Sequence, residues 1–265
     1  MLIELKNVSA GYGKSTILKD INLRVGEGEK VFIGGANGSG KTTLLRVISG
    51  LIPYTGQVLI SGRDIRSLKR KESARLISLM PQQSGMYFAY KVKDAVLLGR
   101  YAHTGLFGGN SQEDTDAARA AMKACGIFEL KDRYINELSG GQIQRVMLAM
   151  CFCQGAPVIL LDEPGSNLDI RYNAELEEYI NTWAKDSTYT SYGKIRNTPI
   201  AVFHDLTQAM RFSGRTILLK DGKVYFDGLL EEAVKSGKAS EAYDFDIAGY
   251  KREEQKLWKF VQPDK

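Results

Sequence analysis

Two glycine-rich stretches, Gly35-Ala36-Asn37-Gly38-Ser39-Gly40-Lys41-Thr42-Thr43 and Leu138-Ser139-Gly140-Gly141-Gln142, constrain this chain more than any other feature. The first has a glycine, four residues, and then Gly40-Lys41-Thr42. In that pattern consecutive backbone N–H groups curl around an anion at a helix N-terminus. Its flanks agree, because Lys30-Val31-Phe32-Ile33 reads as a strand and Thr42 to Ile48 as a helix. The candidate phosphate contacts are therefore Gly35, Asn37, Gly38, Ser39, Gly40, Lys41, Thr42 and Thr43. Lys41 would reach the β/γ-phosphates of a nucleotide, and the Thr42 hydroxyl would ligate Mg²⁺.

Pro157-Val158-Ile159-Leu160-Leu161-Asp162-Glu163-Pro164 is a short apolar run closed by two acids. It reads as a parallel strand buried on both faces, and ligands gather at the carboxyl ends of such strands. Alone it could be a buried strand with a solvated cap. Beside a phosphate loop, Asp162 is placed to hold hydrated Mg²⁺ and Glu163 to orient and deprotonate an attacking water.

Ser139 followed by Gln142 is a capping box that could simply start a helix from Gly141 to about Gln154. That account leaves the paired glycines unexplained, since each gives up about 1 kcal/mol of helix propensity against alanine. Close approach of backbone to a phosphate explains both, with the Ser139 hydroxyl and the helix N-terminus facing a γ-phosphate. No strand immediately precedes Leu138, so this turn serves a nucleotide held elsewhere. A second copy of the chain is implied.

In wording and order these motifs resemble the ATP-binding cassette (ABC) ATPases, the nucleotide-hydrolysing subunits of membrane transporters, over about Leu2 to Gly228. Gly35 to Thr43 resembles the Walker A loop, Leu138 to Gln142 the signature motif, and Val158 to Glu163 the Walker B strand with its catalytic glutamate. The resemblance implies an α/β P-loop NTPase fold: a RecA-like core, an antiparallel β subdomain and a helical signature subdomain at about 85–154. The ABC ATPase domain would span 1–235, and 236–265 would be a helical C-terminal tail. Further roles follow by resemblance. Tyr12 stacks on adenine, and Ser139, Gly140, Gly141 and Gln142 bind ATP. Gln82 senses Mg²⁺ and the membrane partner. Asp169 closes the D-loop Ser166-Asn167-Leu168-Asp169, and His204 is the switch histidine at the γ-phosphate. Ala36 stands where many members carry proline, a difference expected to matter little because that side chain makes no phosphate contact. Gly165-Ser166-Asn167-Leu168 also departs from the commoner wording.

At 265 residues the chain suits one large α/β domain. It lacks the ~18 to 20 consecutive apolar residues that cross a bilayer, and its N-terminus lacks a signal-peptide design. Cys125, Cys151 and Cys153 suit a reducing cytosol, with no disulfide and no metal cluster expected. The net charge of +5 is mild; its one tight cluster, Lys69-Arg70-Lys71 with Arg75, reads as a solvated face, and no nucleic-acid partner is expected. His103, in a glycine-rich stretch, reads as exposed, and Gly105 to Asn110 as a loop. Lys185 to Thr198 reads as a surface loop or extended hairpin, and Asp221-Gly222 as the turn between two strand-like runs. In the tail, Leu230 to Val234 reads as a short helix. Lys251 to Val261 reads as another, with Leu257, Trp258, Phe260 and Val261 available for packing.

Val92 to Arg100 and His204 to Ala209 are similar to importers of iron–siderophore complexes, haem and vitamin B12. The resemblance implies an ATPase homodimer serving integral membrane permease subunits fed by an extracytoplasmic binding protein. The subunit would then lie peripherally on the cytoplasmic face of the membrane. Zinc, manganese and other cassette importers remain alternatives. A soluble cassette acting on nucleic acid or ribosomes is another, though such proteins usually carry two cassettes or long heptad insertions. A non-hydrolysing regulatory cassette is a third, opposed by the presence of Glu163 and His204.

Overall fold

The computed structural model describes residues 1–82, 90–104, 110–165, 169–212 and 214–258. At its centre lies a six-stranded sheet. Its spatial order is Lys223–Gly228, Arg215–Lys220, Val31–Gly34, Thr198–Val202, Val158–Asp162, Ile77–Met80. The last five strands run parallel, and the first pairs antiparallel to its neighbour. Val31–Gly34, Val158–Asp162 and Thr198–Val202 are buried at every position, as strands covered on both faces must be.

The two-residue period of a strand sends alternate side chains into separate cores. Phe32, Ile159, Leu161 and Ala201 join one, with the helices Val92–Leu98, Gln112–Ala124 and Gly140–Cys153 and the C-terminal helices. Val31, Ile33, Val158, Leu160, Ile200 and Val202 join the other. That second core is closed by the helix Lys41–Ile48 and a separate antiparallel sheet of order Ser15–Val25, Ile3–Tyr12, Tyr54–Ile60, Arg63–Asp64. The central sheet is thus packed between a layer of helices on one face and the antiparallel sheet with the helix Lys41–Ile48 on the other.

Several local expectations are met with shifted bounds. The helix that follows Ser139 runs Gly140–Cys153 against the expected Gly141 to about Gln154; a further helix, Gln112–Ala124, starts from a capping box of Ser111 and Asp114. Asp221 (φ 52°) and Gly222 (φ 78°) both take the left-handed conformation that a two-residue hairpin turn needs. The segment 185–198 holds the hairpin Ser187–Thr190 with Gly193–Arg196. It is pinned to the antiparallel sheet where Arg63 Nη1 donates to the Tyr192 hydroxyl at 2.8 Å.

Other details differ. His103 is partly buried, with Nε2 2.8 Å from the Gln154 carbonyl, and burial lowers its pKa. Among the described residues the C-terminal region holds the helices Leu230–Lys235, Lys238–Tyr243 and Ile247–Leu257; the middle one is not evident in the sequence. Leu257 and Trp258 are largely exposed. Phe260, Val261, most of the loop expected at 105–110 and D-loop residues Ser166, Asn167 and Leu168 lie outside the described residues.

Candidate functional site

Sheet register alone assembles the site. Ile33 and Asp162 both pair with Val202 from opposite sides, and Leu161 pairs with Met80. The carboxyl ends of four adjacent parallel strands therefore come into line. They lead to Gly35 from Val31–Gly34, His204 from Thr198–Val202, Glu163 from Val158–Asp162, and Gln82 from Ile77–Met80. Residues far apart in sequence become neighbours because each lies one or two residues past its strand.

Gly35 leaves its strand at φ 131°, where a Cβ would stand 2.2 Å from the Leu219 carbonyl oxygen, so no larger residue fits. Gly40, also at positive φ, caps the helix Lys41–Ile48. Lys41 Nζ donates to the carbonyls of Gly35 and Ala36 at 2.9 Å each, closing the loop on itself. Asn37, Gly38 and Ser39 line a cleft of about 280 Å³ with Thr16, Ile17 and Lys220. Ser39 Oγ is buried without a hydrogen-bond partner, a donor waiting for an oxygen. Thr43 is buried beneath the loop.

Thr42 Oγ1 donates to Asp162 Oδ1 at 3.0 Å. Burial pulls the Lys41 ammonium below the ordinary lysine range, while the charges of Glu163 and Asp162 oppose that fall. Burial also pushes the Asp162 carboxyl above the usual aspartate range, with the Thr42 hydrogen bond opposing and the Glu163 charge adding to the rise.

A raised native pKa means that the ionised carboxylate is penalised in the fold relative to the unfolded chain. Its stabilising contribution is present at pH below 3.8 and is lost as pH rises through the raised native value. Asp162→Asn is therefore expected to raise the midpoint of thermal unfolding at neutral pH. The gain should shrink on acidification toward pH 3.8. Thermal melts across pH test this, and a lower midpoint at neutral pH would contradict it.

Glu163 is buried and takes φ 54°, a costly conformation for a non-glycine residue that turns its carboxylate across the strand ends. Its N–H donates to the Val202 carbonyl at 3.1 Å, fixing the turn. Its Oε2 receives the Gln82 amide and lies 2.5 Å from His204 Nε2. Gln82 thus meets Glu163 rather than the Thr42–Asp162 pair.

Tyr12 ends the strand Ile3–Tyr12, and its hydroxyl accepts from Arg46 Nη1 at 3.0 Å, anchoring the ring to the phosphate-loop helix. The signature turn keeps to itself. Ser139 Oγ accepts from the Gln142 N–H at 3.4 Å, and the Ser139 N–H donates to Gln142 Oε1 at 3.0 Å. An accepting hydroxyl still has its own proton to offer an anion. Asp169 Oδ1 caps the helix Ile170–Trp183 by accepting from the Tyr172 N–H at 2.8 Å. Among the described residues no hydrogen bond or ion pair joins Ser139–Gln142 or Asp169 to the phosphate loop.

The paired glycines prove unlike each other. A Cβ on Gly140 would meet nothing within 4 Å, whereas one on Gly141 would lie 3.0 Å from the Tyr172 ring. Gly141 thus has a packing reason within its own chain in addition to any approach to a phosphate. Ala36 is also more than a neutral departure. Its N–H donates to the Ala242 carbonyl at 3.0 Å, a bond that proline could not make, and this docks the helix Lys238–Tyr243 on the phosphate loop.

A phosphate loop, a strand-end carboxylate pair and a capped glycine turn on one mixed α/β frame define a nucleotide-hydrolysing cassette. The family model described as ABC transporter matches residues 18–166. The ferric enterobactin transport ATP-binding protein FepC of Escherichia coli (strain K12) is 37% identical over 230 residues, covering 86% of this chain and 82% of FepC. The cobalamin import ATP-binding protein BtuD of Halobacterium salinarum (strain ATCC 29341 / DSM 671 / R1) is 32% identical over 249 residues, covering 94% of this chain and 60% of BtuD. Among solved structures, the dimeric post-hydrolysis state of the ATP-binding cassette MJ0796 bound to ADP and Pi matches with a TM-score of 0.71 at 29% identity. That match covers 86% of this chain and 99% of the other. The chain belongs to the ABC transporter family and is an ATPase subunit of that class. Among the described residues no helix is long and apolar enough to cross a membrane.

Proposed function

We propose that two copies of this chain close on two ATP molecules, each held between the phosphate loop of one protomer and Ser139-Gly140-Gly141 of the other. Hydrolysis reopens the pair. The alignment of Gly35, His204, Asp162–Glu163 and Gln82 at four adjacent strand ends carries this reading. It gathers a phosphate cradle, a base and its orienting groups at one sheet edge.

Lys41 and the loop N–H groups neutralise the β/γ-phosphates, Ser39 Oγ supplies a further contact, and Tyr12 stacks on adenine. Glu163 takes the proton of the attacking water while Gln82 and His204 orient its carboxylate. Asp169 meets the nucleotide from the partner side. The paired Thr42 and Asp162 oxygens would hold Mg²⁺, an ion that takes few protein ligands and suits such a hydroxyl and carboxylate pair. Among the described residues no cluster of three His, Cys, Asp or Glu side chains offers a different, protein-only cage. When bound, Mg²⁺ neutralises charge on the phosphates.

The chain serves an importer of an iron complex, haem or cobalamin, peripheral to the cytoplasmic face and attached to integral membrane permease subunits supplied by a binding protein. Its relatives FepC and BtuD, named for ferric enterobactin transport and cobalamin import, support that cargo class. Reconstitution with co-purifying membrane subunits tests it. A ferric chelate, haem or cobalamin, delivered by its binding protein, is expected to raise ATP turnover several-fold. Failure to associate with any polytopic protein, together with salt-sensitive stimulation by nucleic acid, would contradict it.

A further inference from the structure

The signature turn and Asp169, the two elements that a partner's nucleotide would meet, sit on different helices. Both are tied to Tyr172. Its backbone N–H donates to Asp169 Oδ1 at 2.8 Å, and its ring lies flat against Gly141. A Cβ on Gly141 would stand 3.0 Å from ring atoms Cδ1 and Cγ and 3.1 Å from Cδ2. Carbon atoms pack at roughly 3.5–4.0 Å, so an alanine there must displace either the ring or the turn. The ring is not free to yield. The Arg145 guanidinium, one turn along the signature helix, lies 4.7 Å from its centroid and is ion-paired with Glu175 on the same helix as Tyr172.

We propose that Tyr172 is a positioning residue for hydrolysis: its ring, held by Arg145, seats Gly141 and so sets the signature turn and Asp169 in one register toward the partner's ATP. This deepens, and rests on, the reading in which ATP is shared between two protomers. Gly141 is then required by the tyrosine of its own chain, not by the phosphate, and Gly140 is the glycine that the nucleotide requires.

The test is a double-mutant cycle in the full-length Glu163→Gln chain, reading ATP-driven dimerisation by sedimentation and Mg·ATP affinity of the protomer by fluorescence. With Tyr172 present, Gly141→Ala should weaken dimerisation by about tenfold, and with Tyr172→Ala present the same change should cost less than about twofold. Protomer ATP affinity should stay unchanged throughout, which a general folding defect would not allow. Tyr172→Phe, which keeps the ring, should behave as the parent. An equal penalty for Gly141→Ala in both backgrounds would overturn the proposal, because the glycine would then answer to the nucleotide. A Glu163→Gln parent that stays monomeric with ATP would overturn the shared-nucleotide reading and the proposal with it.

Discussion

Glu163→Gln is expected to lower the rate of ATP hydrolysis by about 10³-fold, within the range for removing a positioned general base, while Mg·ATP binding is retained. The amide is isosteric, so the φ 54° turn and the Glu163 N–H bond to Val202 should survive. An amide nitrogen cannot take a proton from water at neutral pH, so the reaction stalls after binding. The signature of that stall is an ATP-dependent dimer that persists through gel filtration. Losing the negative charge beside Lys41 and the phosphates should tighten ATP binding slightly rather than weaken it. Hydrolysis near the parent rate would remove Glu163 from the role of base, leaving the Gln82 and His204 contacts as packing.

Gly140→Asp separates the protomer from the shared site. A Cβ at Gly140 meets no atom within 4 Å, Gly140 is not among the positive-φ glycines, and the first turn of Gly140–Cys153 carries no acidic residue. An aspartate there should leave protomer stability unchanged or raise it by ~0.3–1 kcal/mol through the helix N-terminus. Facing a partner's triphosphate, the same carboxylate costs several kcal/mol by like-charge repulsion, about a hundredfold or more in ATP-driven dimerisation. A stable protomer that binds ATP yet neither dimerises nor hydrolyses it is the expected result, by calorimetry and turnover together. Full turnover would mean that Gly140 faces solvent during hydrolysis.

The sequence made some of this arrangement legible and concealed the rest for physical reasons. Val31–Gly34 and Val158–Asp162 stand out because strands buried on both faces need unbroken apolar runs, and the loop glycines because their geometry excludes side chains. The Asp221-Gly222 turn is local chemistry and reads directly. Contacts set by tertiary packing leave no local pattern. Nothing near Gly141 announces Tyr172, which arrives on another helix. The helix Lys238–Tyr243 is too short for periodicity to reveal, and its docking on Ala36 had one trace, the alanine where proline is common. His103 looked exposed because its glycine-rich surroundings say nothing of Gln154, whose carbonyl it meets.

Mixing two inactive variants tests the central claim most directly. Lys41→Ala disables the phosphate loop, and Gly140→Asp disables the opposing turn. A mixed dimer pairs the intact loop of one with the intact turn of the other. In a 1:1 mixture turnover should rise well above that of either variant alone, since each mixed dimer holds one intact site of two. A mixture no more active than the mean of its two components would contradict a site built from both protomers.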